Sequence, residues 1–438
     1  MLTKYKLGEL VDVTRGMSLP GEKYSESGEL IRLTLGNFNY NGGGFKENTS
    51  KSDIYYIGEV KSEYILNKGD IITPLTEQTL GLLGSTAMIP ESGKYIQSQD
   101  VALVTPDESK LNRLFCYYLV SSDVVKKQLS AAAQQTKIRH TSPDKIKDCT
   151  VWIPELKLQE KIGKTLYDID QKISLNTRMN AELEAMAKQL YDYWFVQFDF
   201  PFDFAQGKPD ENGKPYKSSG GKMVWNEKLK REIPEGWEVV LISDLIEEKK
   251  SGDWGQDEMK GSYTLKVNCI RGADFKNPTN APERFINSKN NNRLLEEDDI
   301  IVEISGGSPI QATGRSVYVS KGLLCHYDNS LTCSNFCQAL TCCDKTISPY
   351  FFYMWNMFYD NNVMFNYEGK TSGIKNLLID MFLNNTWYLP PIQILSVFAT
   401  TIKRHMSTKD SNVKEINHLT LLRDSLLPML MNGQVTIE

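Results

Sequence analysis

The sequence predicts an α+β fold built twice: two similar mixed α/β domains, each followed by a long helix, the two helices pairing as an antiparallel coiled coil about a pseudo-two-fold axis. Three observations carry this. A heptad seam runs between Pro154 and Phe195. Segments of the first half recur in the second at a nearly constant offset. One long apolar-seamed stretch closes each half, so the helix that the first seam needs is supplied by the same chain.

The seam is read from Ile162, Leu166, Ile169, Ile173, Asn176, Asn180, Leu183, Ala187, Leu190 and Trp194, whose spacing alternates four and three. That is the a/d period of a coiled coil, with charged and amide residues between. No glycine follows Gly163 and no proline follows Pro154 in this stretch. At the rise of an α-helix it spans roughly 60 Å.

The repeat is positional. KLGELVDVTRG from Lys6 matches LISDLIEEKKSG from Leu241, LIRLTLGNF from Leu30 matches LKVNCIRGADF from Leu265, and LNKGDIIT from Leu66 matches LEEDDIIV from Leu295. VWIPEL from Val151 matches WYLPPI from Trp387, pairing Pro154 with Pro390, a shift of 236. A tandem duplication accounts for these matches. The same shift carries the seam to Phe398, Ile402, His405, Lys409, Asn412, Ile416, Leu419, Arg423, Leu426 and Leu430. Lys409 and Arg423 interrupt this second seam, Pro428 is expected to kink or end the helix, and the polar layer at Asn176 and Asn412 is expected to fix register. Within each half the reading is of short strands, then a helix over LNRLFCYYLVSSDVVKKQL or SPYFFYMWNMFYDNNVMF, then a basic loop. Between the halves, Ala205 to Gly221 is rich in Gly, Lys, Pro and Ser and reads as a surface connector.

Composition narrows the function. A chain of 438 residues holds two to four domains. At 40% hydrophobic and 24% charged residues it is a packed protein rather than a disordered one. No run of about 18 apolar residues is present, which argues against a membrane span, and MLTKYKLGEL lacks the apolar core of a signal peptide. A cytoplasmic protein is expected. The eight cysteines follow no disulfide-framework spacing and read as reduced thiols. A net charge of −5 counts mildly against an evenly spread nucleic-acid footprint and leaves local patches open.

Catalytic signatures are missing: no G-x-x-x-x-G-K-[ST] phosphate loop, no strand-linked G-x-G-x-x-G, no G-x-S-x-G elbow. Cys325, His326, Cys333, Cys337, Cys342 and Cys343 lack the paired C-x2-C spacing of common zinc modules and read as free thiols. Pro209-Asp210 with Lys214 superficially suggests a nuclease set but falls in the connector, where a solvated loop is expected.

The surviving signals are for nucleic acid. Lys137, Arg139, His140, Lys145 and Lys147 crowd one stretch with Thr141, and Lys370, Ser372 and Lys375 stand at the equivalent place in the second half. Thr76, Gln78 and Ser85 follow the GDIIT strand; Ser305, Gln311 and Arg315 follow DDIIV. Lys and Arg suit phosphates, whereas Gln, Ser and Thr reach base edges or backbone oxygens. The contrary reading is that these are ordinary polar turns.

IPELKLQEKIGKTLYDIDQKI, LEAMAKQLYDYWFVQFDFPF, DENGKPYKSSGGKMVW, REIPEGWEV and the closing LLRDSLLPMLMNGQV together resemble the DNA-specificity subunits of type I restriction-modification systems. The resemblance covers nearly the whole chain. It implies a target-recognition domain over 1–153, a central long helix over 154–198, a connector over 199–238, a second target-recognition domain over 239–388 and a distal long helix over 389–438. Each domain would read one half of a split double-stranded DNA target. The helices would set the unread spacer and dock adenine methyltransferase subunits, two of them, with motor/nuclease subunits joining for cleavage. The chain itself would be non-catalytic and bind no cofactor, with S-adenosylmethionine and Mg/ATP on the partner subunits. One departure is Leu395, where the family usually has glutamine and the first half keeps Gln159. The alternative is a duplicated coiled-coil interaction scaffold that binds no DNA.

Overall fold

The structure, a computed structural model, describes residues 2–437 except 40–42, 78–80, 133–138, 211, 307, 309, 372–373 and 436. The chain forms two compact units, Met1–Leu175 with Ile416–Glu438, and Asn176–Glu415. Each unit therefore holds part of both long helices.

The first unit is organised on an antiparallel sheet in the order Val11–Arg15, Val101–Pro106, Ile71–Pro74, Ala87–Met88. The second unit has Ile246–Ser251, Cys337–Cys342, Ile300–Glu303 and Ser316–Tyr318 in the same order and sense. The GDIIT and DDIIV runs supply the third strand of each. Ile71–Pro74 and Ile300–Glu303 are buried at every position, with Thr73 and Glu303 as the polar members of otherwise apolar strands. Thr3–Lys6 pairs with Thr150–Ile153 in one unit, and Glu238–Leu241 with Thr386–Leu389 in the other. Each unit also has one parallel pair, Ile31–Arg32 with Tyr95–Ile96 and Tyr263–Ile270 with Ser330–Cys333.

The repeat extends to single hydrogen bonds. Glu9 accepts from the backbone N–H of Lys6 at 2.7 Å, and Asp244 from that of Leu241 at 3.1 Å. Asn37 accepts from Thr34 N–H at 2.8 Å, Asp274 from Arg271 N–H at 2.9 Å. Asp70 accepts from Asn67 N–H and Asp299 from Glu296 N–H, both at 2.8 Å. In every case an oxygen-bearing side chain three residues on closes its own turn, the local chemistry that favours Asp, Asn and Glu there. The fold is thus an internal repeat down to its turn caps.

The first long helix, Leu156–Tyr191, has 36 residues and passes into a π-helical turn, Asp192–Val196. The second, Ile392–Met431, has 40 and runs three residues beyond Pro428, which therefore does not end it. The seam positions of both helices are buried or half-buried, including Ile169, Ile173, Leu183, Leu190, Ile416, Leu419 and Leu426. In the first unit Ile162 and Leu166 share a core with Leu430 and Met431. Asp170 accepts from Tyr118 at 2.6 Å and from Arg423 at 2.9 Å. Burial, with the Asp170 charge beside it, pushes the Tyr118 phenol far above its usual range, so it stays a donor. Burial opposes the Arg423 charge, but Asp170 and Asp424 outweigh it and hold the guanidinium above its ordinary value.

In the second unit Asn176 donates to Glu415 at 2.7 Å, Asn412 to Asn180 at 2.9 Å and Lys409 to Glu184 at 2.9 Å. Along these three bonds the partner's number falls as the first helix's number rises. Two expectations change here. Lys409 and Arg423 do not simply interrupt a seam, because each meets a carboxylate on the first helix. Asn176 and Asn412 do not form one layer together; each bonds to a different residue across the helices.

Other expectations also change. LNRLFCYYLVSSDVVKKQL is two helices, Arg113–Val120 and Asp123–Ala132, because the Ser121 hydroxyl bonds back to the Tyr117 and Tyr118 carbonyls and the chain turns there. The matching stretch breaks at Asn362, which lies in the left-handed region at φ 60°. The connector is not a bare surface loop. Lys208–Pro209 and Lys214–Pro215 flank Pro201–Asp203 in a three-stranded sheet, and Met223–Asn226 pairs with Arg231–Pro234. Buried Tyr216 anchors it, its ring stacked on Phe200 with centroids 4.6 Å apart. All eight cysteines are unpaired and six are buried. Burial raises the Cys116 thiol to about 12. Among the described residues no three metal-ligating side chains converge, and no helix is long and apolar enough to cross a membrane.

Gln159 shows why the two halves need not match everywhere. Its side-chain oxygen accepts from Asn112 N–H at 2.9 Å, and its amide donates to the carbonyls of Lys110 and Pro154 at 3.1 and 2.8 Å. Leu395, its counterpart, is buried in the apolar core of the second unit. Gln159→Leu is therefore expected to lower the stability of the first unit by roughly 2 kcal/mol, since it leaves these backbone groups unmatched. The reverse change, Leu395→Gln, would bury an amide in an apolar core and is also expected to destabilise. Thermal unfolding of the two variants checks both expectations.

Candidate nucleic-acid interface

The segments that follow the third core strand meet the former basic loop as paired strands. In the first unit Thr76–Glu77 pairs with Arg139–His140, setting Arg139 opposite Glu77 and His140 opposite Thr76. In the second, Ser305–Gly306 pairs with Ile374–Leu377, setting Lys375 opposite Gly306 and Asn376 opposite Ser305. Glu368–Thr371 adds a third strand, with Gly369 opposite Asn376. Arg139 and Lys375 are the same position of the repeat, as are His140 and Asn376. The stretches read as loops are thus β-ribbons, and each leads into a short helix, Pro143–Lys147 or Ile379–Leu383.

Buried carboxylates anchor these ribbons. Glu77 is 3% exposed, and one of its oxygens accepts from the N–H groups of Gly81, Leu82 and Leu83 at 3.0–3.1 Å. Its other oxygen lies 3.9 Å from the Arg139 guanidinium. Glu303 is 4% exposed and takes Arg315 through both oxygens, at 2.8 and 2.5 Å, a bidentate pair that holds the guanidinium above its ordinary pKa. Gly272 and Gly306 make room for it: a Cβ there would lie 2.5 and 2.7 Å from the Glu303 carboxylate. Glu368 takes Lys375 at 2.8 Å and the N–H of Thr313 at 2.7 Å, while the Lys375 ammonium lies 4.6 Å from the Phe365 ring centre.

The remaining candidates are placed as follows. Thr76 and Thr141 are buried, and the Thr141 hydroxyl has no hydrogen-bond partner among the described residues. Ser85 is buried, its carbonyl accepting from Thr73 at 2.7 Å. Lys145 donates to the Ala132 carbonyl at 2.9 Å, and Lys147 to Asp12 at 2.7 Å. Ser305 bonds to the Asn376 side chain. Gln311 is exposed and reaches Tyr359 at 3.4 Å. Gln78, Lys137 and Ser372 lie outside the described residues, as does the side chain of Lys370. The ribbons therefore bring Thr76 beside Arg139 and Ser305 beside Lys375. The cations Arg315 and Lys375 are held by internal carboxylates.

Sequence reasoning did not single out Glu77, Glu303 or Glu368, nor Asn376, nor Ile310, which is 93% exposed beside Gln311. Its search was for basic and hydroxyl residues. The signal available was the acid at a core-strand end, since a buried carboxylate needs a partner.

Residues 2–185 match the family described as type I restriction modification DNA specificity domain. The type I restriction enzyme MjaIX specificity subunit of Methanocaldococcus jannaschii is 23% identical over 334 residues, covering 74% of this chain and 69% of that protein. The HindI specificity subunit of Haemophilus influenzae is 27% identical over 107 residues, 24% of this chain and 23% of that one. The crystal structure of a type I restriction-modification S subunit from M. genitalium shares the fold, with a TM-score of 0.60 at 16% identity over 98% of this chain and 96% of that one.

Proposed function

The chain belongs to the type I restriction-modification specificity-subunit family, and on that premise we propose that its two units each read one half of a bipartite DNA target. The observation that carries this is the duplication: one sheet order and one ribbon occur twice, with different side chains on the ribbon. Two scaffolds alike in their turn caps and unlike in their ribbons suit a target whose halves differ. In this reading the long helices pair as an antiparallel coiled coil that sets the unread spacer, and their outer faces dock adenine methyltransferase subunits. The chain contributes no chemistry. S-adenosylmethionine and Mg/ATP belong to the methyltransferase and to the motor/nuclease subunits, and the assembly works in the cytoplasm.

Selection of bound duplexes from a randomised library, by the full chain with its host's methyltransferase subunits, tests this. The expected result is a motif in two parts separated by a spacer of fixed length. No DNA affinity would leave the interaction scaffold as the function. Arg139→Ala is expected to weaken binding to all sequences alike and to reduce the dependence of log affinity on log salt by about one, the mark of a lost phosphate contact. Its fold should survive, because Glu77 keeps its three backbone N–H donors. Titrations over a salt series provide the measurement.

A further inference from the structure

We propose that Arg15 is a DNA-contact residue of the first unit, its guanidinium offering paired N–H groups to two acceptor atoms of the duplex, either phosphate oxygens or the O6/N7 edge of a guanine. This rests on the proposal that the chain reads DNA. Arg15 ends the edge strand Val11–Arg15 and is exposed. Its Nε donates to the Gln99 carbonyl at 2.9 Å. That bond restrains the guanidinium and leaves both Nη groups without a partner among the described residues. Arg139, Lys147, Arg315 and Lys375 each face a carboxylate of the chain. Arg15 makes no ion pair among the described residues, so its charge is not neutralised from within. A guanidinium held at Nε presents its Nη pair in the fork that fits two acceptors at once.

The carbonyl that holds Arg15 belongs to a turn that is itself tied down. Gln97 donates to the carbonyls of Thr14 and Val101 at 2.8 and 3.1 Å, and the Met17 N–H to the Gln97 carbonyl at 3.1 Å. Gly16 lets the strand end press on this turn: a Cβ there would lie 2.3 Å from the Gln97 and Ser98 carbonyl oxygens. One residue past Gln99, the Asp100 carbonyl accepts from the Leu75 N–H at 2.8 Å, and the Leu75 carbonyl accepts from the Thr141 N–H at 2.8 Å. Leu75 precedes Thr76 and Thr141 follows His140, so successive backbone bonds set Arg15 beside the candidate ribbon. The second unit builds the same turn without the cation. Register puts Ser251 at the position of Arg15 and Phe336 at that of Asp100. The Asp253 N–H donates to the Cys333 carbonyl at 2.7 Å, as Met17 does to Gln97, and the Phe336 carbonyl accepts from the Ile304 N–H at 2.9 Å, as Asp100 does from Leu75. The scaffold closes without a guanidinium in one unit, so in the other the guanidinium is free to serve a ligand.

The test uses the full chain with its host's methyltransferase subunits, a randomised duplex library and titrations over a salt series. Arg15→Gln removes the charge and the paired donors, while Gln97 keeps the turn closed through Thr14 and Val101. With a phosphate as the acceptor, the variant should weaken all sequences alike, keep the selected motif and lower the dependence of log affinity on log salt by about one. With a guanine, it should keep that dependence and relax discrimination at one position of one half-site on the order of 10-fold, within the range for one bidentate base contact. Either result supports the contact and names its source. Ser251→Ala, the matching position of the second unit, should leave both readouts at their parental values. A folded Arg15→Gln complex with the parental salt dependence and the parental motif overturns the inference, whatever its overall affinity, and leaves the bipartite reading standing. So does an equal effect from Ser251→Ala, which would trace the change to the strand end rather than to the guanidinium. A wild-type complex with no DNA affinity overturns both.

Discussion

Asp299→Ala is expected to destabilise the second unit by about 3–5 kcal/mol, the cost of leaving one member of a buried ion pair without its partner. Asp299 is fully buried. One oxygen takes Lys250 at 3.0 Å and the N–H of Glu296 at 2.8 Å; the other takes the Thr341 hydroxyl at 2.6 Å. Without it the Lys250 ammonium, 4% exposed, keeps among the described residues only the Glu296 carboxylate at 3.6 Å, a side chain 66% exposed. For a unit of this size the loss corresponds to a fall in melting temperature on the order of 10 °C, measurable by calorimetry. The same substitution at the matching position separates the ion pair from the turn cap. Asp70 also caps its own turn, but it is 21% exposed and its cation, Arg113, lies 4.0 Å away at the surface. Asp70→Ala should therefore cost about 1 kcal/mol, one hydrogen bond. Equal losses at the two sites would mean that Lys250 contributes nothing. Adding Lys250→Met to Asp299→Ala should recover much of the deficit by removing the stranded charge.

The contrast between Asp70 and Asp299 shows what a linear sequence reveals. LNKGDIIT and LEEDDIIV align on sight because a turn cap and a buried strand are local, and local chemistry leaves local patterns. The long helices are legible for the same reason, since their period is written in neighbouring residues. Partners supplied from far along the chain are not. Lys409 and Arg423 read as breaks in an apolar seam because Glu184 and Asp170 stand more than two hundred positions away. Arg315 and Lys375 read as free cations because nothing local points to Glu303 or Glu368. The connector misled through composition. Gly, Pro, Lys and Ser describe a loop, but Phe200, Phe202 and Tyr216 pack their rings together and draw the intervening chain into strands.

Phe398→Ala is the second large effect, expected at about 3–5 kcal/mol for a buried aromatic ring reduced to a methyl group. Phe398 is the first seam residue of the second long helix and is fully buried. Its ring lies edge-on to Phe195 with centroids 4.9 Å apart, 5.8 Å from Trp194, and about 6.3 Å from Tyr191. Geometries of this kind add about 0.5–1.5 kcal/mol beyond buried area. These three partners, Tyr191, Trp194 and Phe195, straddle the point where the first long helix widens into its π-turn. The turn has a second support: Tyr388 donates to the Phe195 carbonyl at 2.8 Å. The two supports make different predictions for backbone opening. If ring packing holds the turn, Phe398→Ala should speed amide hydrogen exchange across Leu190–Val196 by the factor its stability loss implies. Phe398→Leu, which keeps most of the buried volume, should do so far less. If the Tyr388 bond holds it, exchange there should respond to Tyr388→Phe and stay near wild type in Phe398→Ala even as the rest of the core loosens. Packing is the expected winner, because four rings converge on this layer and a single net hydrogen bond contributes only about 1 kcal/mol.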